Sequence, residues 1–207
     1  QDNDAQPGQT AVGKEKRLYR YSYTAATDTY TLDSGFPVTI APNSSETLVI
    51  DKDSGGRLWA TWVESPQTGT DTSGNPIFGP AQVKLAYSTD GGSTWTVKTL
   101  AELGVTSGAD NLDQDDIATL VSYQGRIGVM WSNQTDKKFF FAVHADGSAP
   151  DTGWSSFTVF RDTVSSGDAA DDHINLKVQE GPGGQLYAVI KTNFGTCLLY
   201  TSDAADE

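Results

Sequence analysis

Short runs of apolar and β-branched residues alternate along the chain with turns rich in glycine, aspartate, asparagine and serine. Examples of these runs are 48–50, 83–87 and 139–143. Few stretches of the sequence repeat apolar residues at the 3.6-residue period of an amphipathic helix, and none of them is long. This pattern is typical of short antiparallel strands separated by tight turns, so the sequence predicts an all-β fold.

One strand–turn–strand pattern occurs three times. Residues 56–62 align with 125–131 and with 184–190, and each copy follows an acidic residue and a further apolar strand. Each copy therefore predicts a strand, a glycine turn, a second strand and then an outer hairpin. That order of elements is the four-stranded blade of a β-propeller.

The repeat predicts an incomplete β-propeller of four-stranded antiparallel blades, with about two full blades and parts of two more. The first full blade spans 46–100, with a long loop at 65–80 between its second and third strands. The second spans 115–160, and a third starts at Asp172 and has two strands. Residues 17–32 are predicted to form the outer hairpin of a preceding blade.

The turn of the outer hairpin in the first full blade carries the most specific motif in the chain. Ser88, Asp90, Gly92 and Trp95 fit the pattern S-x-D-x-G-x-x-W. The aspartate can bond the backbone two residues on as an Asx-turn, and the glycines can adopt the positive φ that such a turn needs. The tryptophan can cover the hairpin with a large aromatic surface. A structural role is therefore predicted for these residues.

The motif resembles the Asp-box, or BNR repeat, of sialidase-type β-propellers, where the box lies at the blade periphery away from the active site. A degraded copy with Asp146 and Trp154 follows in the second blade, at a spacing stretched by three residues. Segments 48–53, 127–133 and 172–177 are also similar to bacterial surface proteins with sialidase-like propellers. The resemblance implies a bacterial protein that is secreted or held at the cell surface, and it names no substrate.

The candidate binding site lies in the loops that lead into the first strand of each predicted blade, because propeller ligands usually sit at the channel mouth formed there. These loops are acidic, and the strand after Asp172 alternates a polar face with an apolar face. The candidate ligand-binding residues are Glu46, Asp115, Asp116, Asp171, Asp172, His173, Asn175 and Lys177. They could contact a glycan or a cation, or they could form hydrogen bonds between blades around a solvated channel.

Sialidase catalysis requires specific residues that the propeller fold alone does not supply. It needs an arginine cluster for the substrate carboxylate, a Tyr/Glu nucleophile pair and an acid. The arginines of this chain are Arg17, Arg20, Arg57, Arg126 and Arg161, and two of them lie in the repeated hairpin turn. No catalytic residue is assigned, and exo-sialidase activity would require the missing blades of the same chain to supply these groups. Two functions stay open: an extracellular propeller that binds or processes a glycan, and a non-catalytic surface or adhesion scaffold.

The charge and the cysteine content narrow the classes of partner and cofactor. The chain has 14 basic and 27 acidic residues and a net charge of −13, which argues against a nucleic-acid surface. The single cysteine lies at position 197, and no cofactor or metal is predicted. Ca²⁺ is kept as an alternative at 51–56, although the twelfth position of an EF-hand loop is Trp62 here instead of glutamate. No apolar run is long enough to predict a membrane span.

The two terminal segments are set apart from the predicted domain. Residues 1–16 are polar and are predicted to be disordered or a linker. Residues 197–207 resemble the in-frame translation of a transposase-type sequencing adapter, so we expect the native sequence to stop near 196. The predicted domain is therefore 17–196, and without the three acids of 197–207 the net charge is −10.

Overall fold

The computed structural model describes residues 15–43, 47–161, 170–179, 181, 184–192 and 195–201. Within these ranges the chain consists of antiparallel strands, and its one helical segment is a 3₁₀ turn at Ala101–Leu103. The predicted all-β class is confirmed. The strands form several small sheets, none of which closes on itself.

The first unit is a pair of two-stranded ladders. Its strands are β1 (Lys16–Leu18), β2 (Tyr21–Thr24), β3 (Thr29–Leu32) and β4 (Val38–Ala41). β2 pairs with β3 across a tight turn, and β1 pairs with β4. A hairpin therefore lies in the segment for which the sequence predicts one.

The first four-stranded sheet is an antiparallel meander with an inserted hairpin. Its elements in chain order are β5 (Leu48–Lys52), β6 (Leu58–Glu64), β7 (Gln67–Thr70), β8 (Pro76–Phe78), β9 (Gln82–Ser88) and β10 (Thr96–Thr99). The spatial order is β5-β6-β9-β10, and β7 pairs only with β8. The long loop predicted between the second and third strands is thus a small exposed hairpin of its own.

The second and third sheets repeat this meander. The second contains β11 (Ala118–Tyr123), β12 (Arg126–Asn133), β13 (Lys138–Ala145) and β14 (Ser155–Arg161). The third contains β15 (Ile174–Val178), β16 (Leu186–Thr192) and β17 (Gly195–Thr201). The sequence predicts two strands in this last unit, and the structure has three. The third strand crosses the expected boundary at 196, and the origin of residues 197–207 stays a prediction.

Alternate side chains of the second strand of each sheet are buried on opposite faces, and this explains how the sheets pack. In β6, Trp59 and Val63 are buried against the second sheet, whereas Ala60 and Trp62 are buried on the opposite face with residues of the first unit. Successive side chains of a strand point to opposite faces. A strand that is apolar at nearly every position must therefore be covered on both sides.

The second sheet is covered on both faces in the same way. On β12, Val129 and Trp131 pack toward the first sheet, and Met130 packs toward the third sheet with Ile190 and Leu176. The sheets consequently form successive layers. Their first strands are neighbours, because β11 contacts both β5 and β15.

Polar bonds join the layers at their edges. The backbone N–H of Ser122 in β11 donates to the carboxylate of Asp51 in β5 at 2.7 Å. Gln124 donates from its side chain to the carbonyl of Gly184, which joins the second layer to the third. These bonds fix the lateral position of one layer on the next, which apolar contact alone leaves loose.

Trp131 tests the layered packing. The ring stacks on Phe140 with centroids 5.6 Å apart, and its indole N–H donates to the carbonyl of Gly108 at 2.6 Å. We expect Trp131→Ala to lower the free energy of unfolding by about 3–5 kcal/mol, because it opens a cavity between two sheets. Val97→Ala, on an exposed position of β10, should cost less than about 1 kcal/mol in the same urea titration. Equal losses for the two variants would contradict the packing.

Candidate functional site

Two of the predicted site loops come together at one end of the layers. β11 and β15 lie side by side, and the loops that lead into them carry Asp115 and the pair Asp171 and Asp172. The charges of this pair act on Asp115, which places both loops at the same end. Glu46, the acidic residue that the sequence predicts for the third loop of this site, lies outside the described residues.

Asp172 contacts both a histidine and a lysine at this end. Its Oδ1 contacts Nδ1 of His173 and lies 3.3 Å from Nζ of Lys191, and the same Nζ lies 3.0 Å from Oδ2 of Asp171. Burial alone would raise the pKa of Asp172, but hydrogen bonds to Asp171, His173 and Lys191 outweigh burial and hold it at about 2. The same two carboxylates raise the pKa of Lys191. Asp172 is therefore ionised and Lys191 charged across the neutral range.

The charges of this group also act on Asp115. Partial desolvation raises the pKa of Asp115, and the like charges of Asp172, Asp113 and Asp171 raise it further, whereas Lys191 opposes the shift. Among the described residues of these two loops the carboxylates outnumber the ammonium of Lys191. We call Asp115, Asp171, Asp172, His173 and Lys191 the strand-start cluster.

Asp116 has a different environment from its neighbour. The side chain is buried, and its carboxylate accepts hydrogen bonds from the hydroxyl of Ser132 at 2.7 Å and from the backbone N–H groups of Gln134 and Asp113. Burial raises its pKa, and these bonds work against that rise. Asp116 is therefore engaged inside the turn, which favours the internal hydrogen bonding that the sequence left open for it.

The polar face predicted after Asp172 is present on β15. Asn175 and Lys177 are exposed, while Leu176 between them is buried against the second sheet. The side chain of His173 is 67% exposed, so its ring can reach a ligand without moving other groups. Asn175 and Lys177 continue the polar face along β15, beyond the strand-start cluster.

The cluster offers both acceptors and donors to a ligand. Asp171, Asp172 and His173 each present one possible ligand atom within 4.8 Å of the others. The ammonium of Lys191 already contacts both carboxylates, so a metal ion would have to compete with it. Ca²⁺ takes six to eight oxygen ligands as a rule, and this donor set supplies few. Hydroxyl groups, which can both donate and accept, suit the cluster better.

The other Ca²⁺ alternative, at 51–56, has its carboxylates occupied by the protein. Asp53 is buried and accepts hydrogen bonds from the backbone N–H of Arg57 at 2.8 Å and from the indole of Trp59 at 2.9 Å. Asp51 accepts the bond from Ser122 that joins two sheets. These bonds are those of a tight hairpin turn that is packed on its neighbour.

The hairpin turn after β9 is closed by the side chains that the motif specifies. The hydroxyl of Ser88 donates to Asp90 at 2.7 Å and accepts from the backbone N–H of Gly92 at 2.9 Å. Asp90 also accepts from the backbone N–H and the hydroxyl of Thr94, at 3.0 and 2.7 Å. The Asp90 carboxylate thus binds the backbone four residues further on, whereas the Asx-turn that the sequence predicts would bind it two residues further on.

The tryptophan of this turn points into the layer interface. Its indole N–H donates to the carbonyl of Gly92 at 3.0 Å, and the half-buried ring of Trp95 packs against the buried cluster that includes Ile40 and Ala41 of the first unit. Gly92 has a φ of +91°, a conformation that favours glycine. A Cβ at this position would also collide with Leu18.

The degraded copy of the motif joins two sheets instead of closing its own turn. Asp146 accepts hydrogen bonds from the backbone N–H and the hydroxyl of Ser54, at 3.0 and 2.6 Å, across the interface with the first sheet. Trp154 keeps a local bond, from its indole N–H to the carbonyl of Pro150 at 2.9 Å. In this copy the carboxylate therefore binds the neighbouring layer.

Sequence reasoning missed Lys191, the single cation of the strand-start cluster. The repeat alignment could have found it, because position 191 follows the third copy where Val63 and Ser132 follow the first two. A charged residue at a position that is apolar or small in the other copies is a signal of a local role.

Comparison with models of protein families and with curated proteins gives no match to this chain. The likeness to sialidase-type propellers therefore stays a prediction from the sequence motifs. No helix in the described ranges has the length and apolar character needed to cross a membrane.

Asp90 gives a pH test of the turn. Hydrogen bonds from Thr94 and Ser88 hold the pKa of Asp90 well below its usual value. A carboxyl whose pKa is lowered on folding stabilises the fold above its unfolded pKa of about 3.9 and loses that contribution as pH falls through the folded pKa. We expect Asp90→Asn to lower the Tm at pH 7, by an amount that shrinks below about pH 4. The same charge change at the exposed Asp110, made as a control, should leave the Tm nearly unchanged. A Tm loss that is constant from pH 7 to pH 3 would rule out the carboxylate as its source.

Proposed function

We propose that this chain is part of an extracellular sialidase-like β-propeller that binds a hydroxyl-rich glycan at the strand-start cluster. The convergence of Asp115, Asp171, Asp172 and Lys191 beside two adjacent first strands carries the proposal. Charged groups on neighbouring loops, fixed by rigid strands, are the usual arrangement of a binding site.

The propeller part of the proposal draws support from the repeated layers. Two consecutive four-stranded meanders, and a third sheet that begins in the same way, stack face to face with their first strands adjacent. Propeller blades have this strand order, and they place their first strands around a central axis. The turn motif at Ser88–Trp95 lies at the opposite end of its strand from the cluster, as expected for a structural element.

A neutral or amino-bearing glycan fits the charges better than an acidic one. The cluster has three carboxylates, one ammonium and one imidazole. Arginines with described side chains lie elsewhere: Arg17 pairs with Glu15, Arg20 with Asp33 and Arg57 with Asp53, and Arg126 lies beside Tyr123. A ligand carboxylate would meet repulsion here and no bidentate partner.

A scaffold function is the second candidate, and the β7–β8 hairpin favours it. This hairpin projects from the first sheet, and Ile77 and Phe78 on β8 are 47% and 37% exposed. Exposed apolar side chains on a projecting loop are typical of contact with another protein. In that case the strand-start cluster would serve only to hold two layers together.

A panel of three classes of glycan, tested with two variants of the chain, separates the two functions. Neutral, amino-bearing and sialylated oligosaccharides would be titrated against the full chain by calorimetry. We expect a neutral or amino-bearing sugar to bind, and Asp172→Asn to weaken it by about tenfold or more, because a hydrogen bond to a charged group contributes about 1.5–3 kcal/mol.

The matched control is Asp151→Asn, which makes the same charge change in the loop after β13, at the other end of the second sheet. Its affinity should equal that of the unaltered chain. The glycan proposal fails if no sugar on the panel binds, or if Asp172→Asn and Asp151→Asn behave alike. Tighter binding of the sialylated sugar would overturn the charge argument.

A further inference from the structure

A largely apolar cavity of about 310 Å³ lies between the second and third sheets. Its walls come from β11 to β14 on one side and from β15 and β16 on the other. Tyr123, the last residue of β11, lines the cavity, which therefore lies at the opposite end of this strand from the strand-start cluster. Well-packed interiors have few voids of this size, and ligand pockets begin at about 300 Å³. The cavity thus has the dimensions of a site for a small molecule.

Divergence between the repeats accounts for the open space. The cross-strand pair that faces the following layer is Trp59 with Tyr87 in the first sheet and Gly128 with Val143 in the second. The two rings of the first sheet have centroids 5.6 Å apart and pack in the cluster shared with the second sheet. Their counterparts in the second sheet are a hydrogen atom and an isopropyl group. The interface with the third sheet therefore lacks the volume that fills the preceding interface.

One wall of the cavity is aromatic and the other is aliphatic. The ring of Phe141 has centroids 6.3 Å from those of both Tyr123 and Phe157, so the three rings form a row. A Cβ on Gly128 would collide with Tyr123 and Phe141, and the glycine therefore lets both rings lie close against β12. The opposite wall consists of leucine and alanine side chains of β15 and β16. Aromatic rings favour stacked or edge-on contact with another ring, so this wall suits a flat ligand.

A cation without a carboxylate partner lies at the β11–β12 turn and lines the same cavity. In the first sheet Arg57 lies opposite Asp53, which donates from its backbone N–H to the carbonyl of Arg57 at 2.9 Å and forms an ion pair with its guanidinium. In the second sheet the corresponding Arg126 is half-buried and pairs with Tyr123. In the part of the chain that the structure describes, no carboxylate forms an ion pair with Arg126.

The groups at this end of the cavity donate hydrogen bonds to a ligand. Burial raises the pKa of Tyr123, and the neighbouring guanidinium of Arg126 works against that rise. A phenol hydroxyl is a donor, and a guanidinium has five N–H donors and no acceptor. The guanidinium fork matches a carboxylate with two parallel bonds. A half-buried cation of this kind favours an anionic ligand group, because its desolvation is then offset by a partner.

We propose that this cavity binds a small aromatic carboxylic acid, with its ring against the row of Tyr123, Phe141 and Phe157 and its carboxylate on Arg126. An apolar cavity of about 150 Å³ is enough to hold benzene, so 310 Å³ accommodates two fused rings. The charge of Arg126 selects the acid, and the aromatic wall selects the flat ring over an alkyl chain. This site is separate from the strand-start cluster, and the inference does not depend on the proposed glycan function.

The first experiment tests the role of the charge with 2-naphthoate and its neutral amide, 2-naphthamide. Both would be titrated against the full chain by calorimetry, and we expect the acid to bind more tightly. Arg126→Gln should weaken the acid by about tenfold or more, the factor that a hydrogen bond to a charged group provides, and should leave the amide nearly unchanged. The matched control is Arg17→Gln, the same charge change at an exposed arginine of β1, which should alter neither affinity.

The second experiment locates the bound ring. Val143→Phe should fill the cavity and abolish binding of 2-naphthoate, and Val159→Phe provides a second variant if the first does not melt cooperatively. Val97→Phe, at an exposed position of β10, should leave binding intact.

Four results would overturn the proposal. They are no binding of 2-naphthoate to the unaltered chain, equal affinity of Arg126→Gln for the acid, binding that survives both cavity variants, and tighter binding of decanoate than of 2-naphthoate. The last result would replace the aromatic acid by an alkyl acid as the occupant. Because no glycan is present in either experiment, failure of the proposed glycan function would leave these readouts unchanged.

Discussion

The architecture depends on one constraint: a sheet that is apolar on both faces cannot exist alone in water. In β12 nearly every side chain is buried, with residues directed alternately to the first and the third sheet. Burial of apolar area is the dominant favourable contribution to folding, and here it can be obtained only by stacking layers. The polar bridges Asp51 to Ser122 and Ser54 to Asp146 then fix where each layer sits on the next.

The candidate site is a consequence of the same stacking. Layers that meet through their first strands bring together the loops that precede those strands, and three carboxylates thereby come within each other's field. Like charges at close range are unfavourable, and Lys191 offsets part of that cost by contacting Asp171 and Asp172. Partial desolvation, and after it the like charges of Asp172, Asp113 and Asp171, still raise the pKa of Asp115.

Much of the fold could be predicted from the sequence because period-two alternation and glycine turns are local signals. The strands of both meanders lie where the repeat predicts them, and the all-β class follows. The β7–β8 hairpin could not be predicted, because its strands are short and exposed and show no alternation of apolar and polar residues. Asp116 and Asp146 illustrate a second limit: the first is buried under a neighbouring turn and the second bonds across an interface, and neither relation is local.

The contact between Trp59 and Trp154 tests the stacking of layers most directly, because the two rings belong to different sheets and meet only if the layers pack as described. A double-mutant cycle with Trp59→Leu and Trp154→Leu, measured by urea unfolding, isolates their coupling. The account predicts a coupling of about 0.5–1.5 kcal/mol, as for aromatic pairs in contact. Strict additivity of the two losses, with each single variant still folding cooperatively, would contradict it.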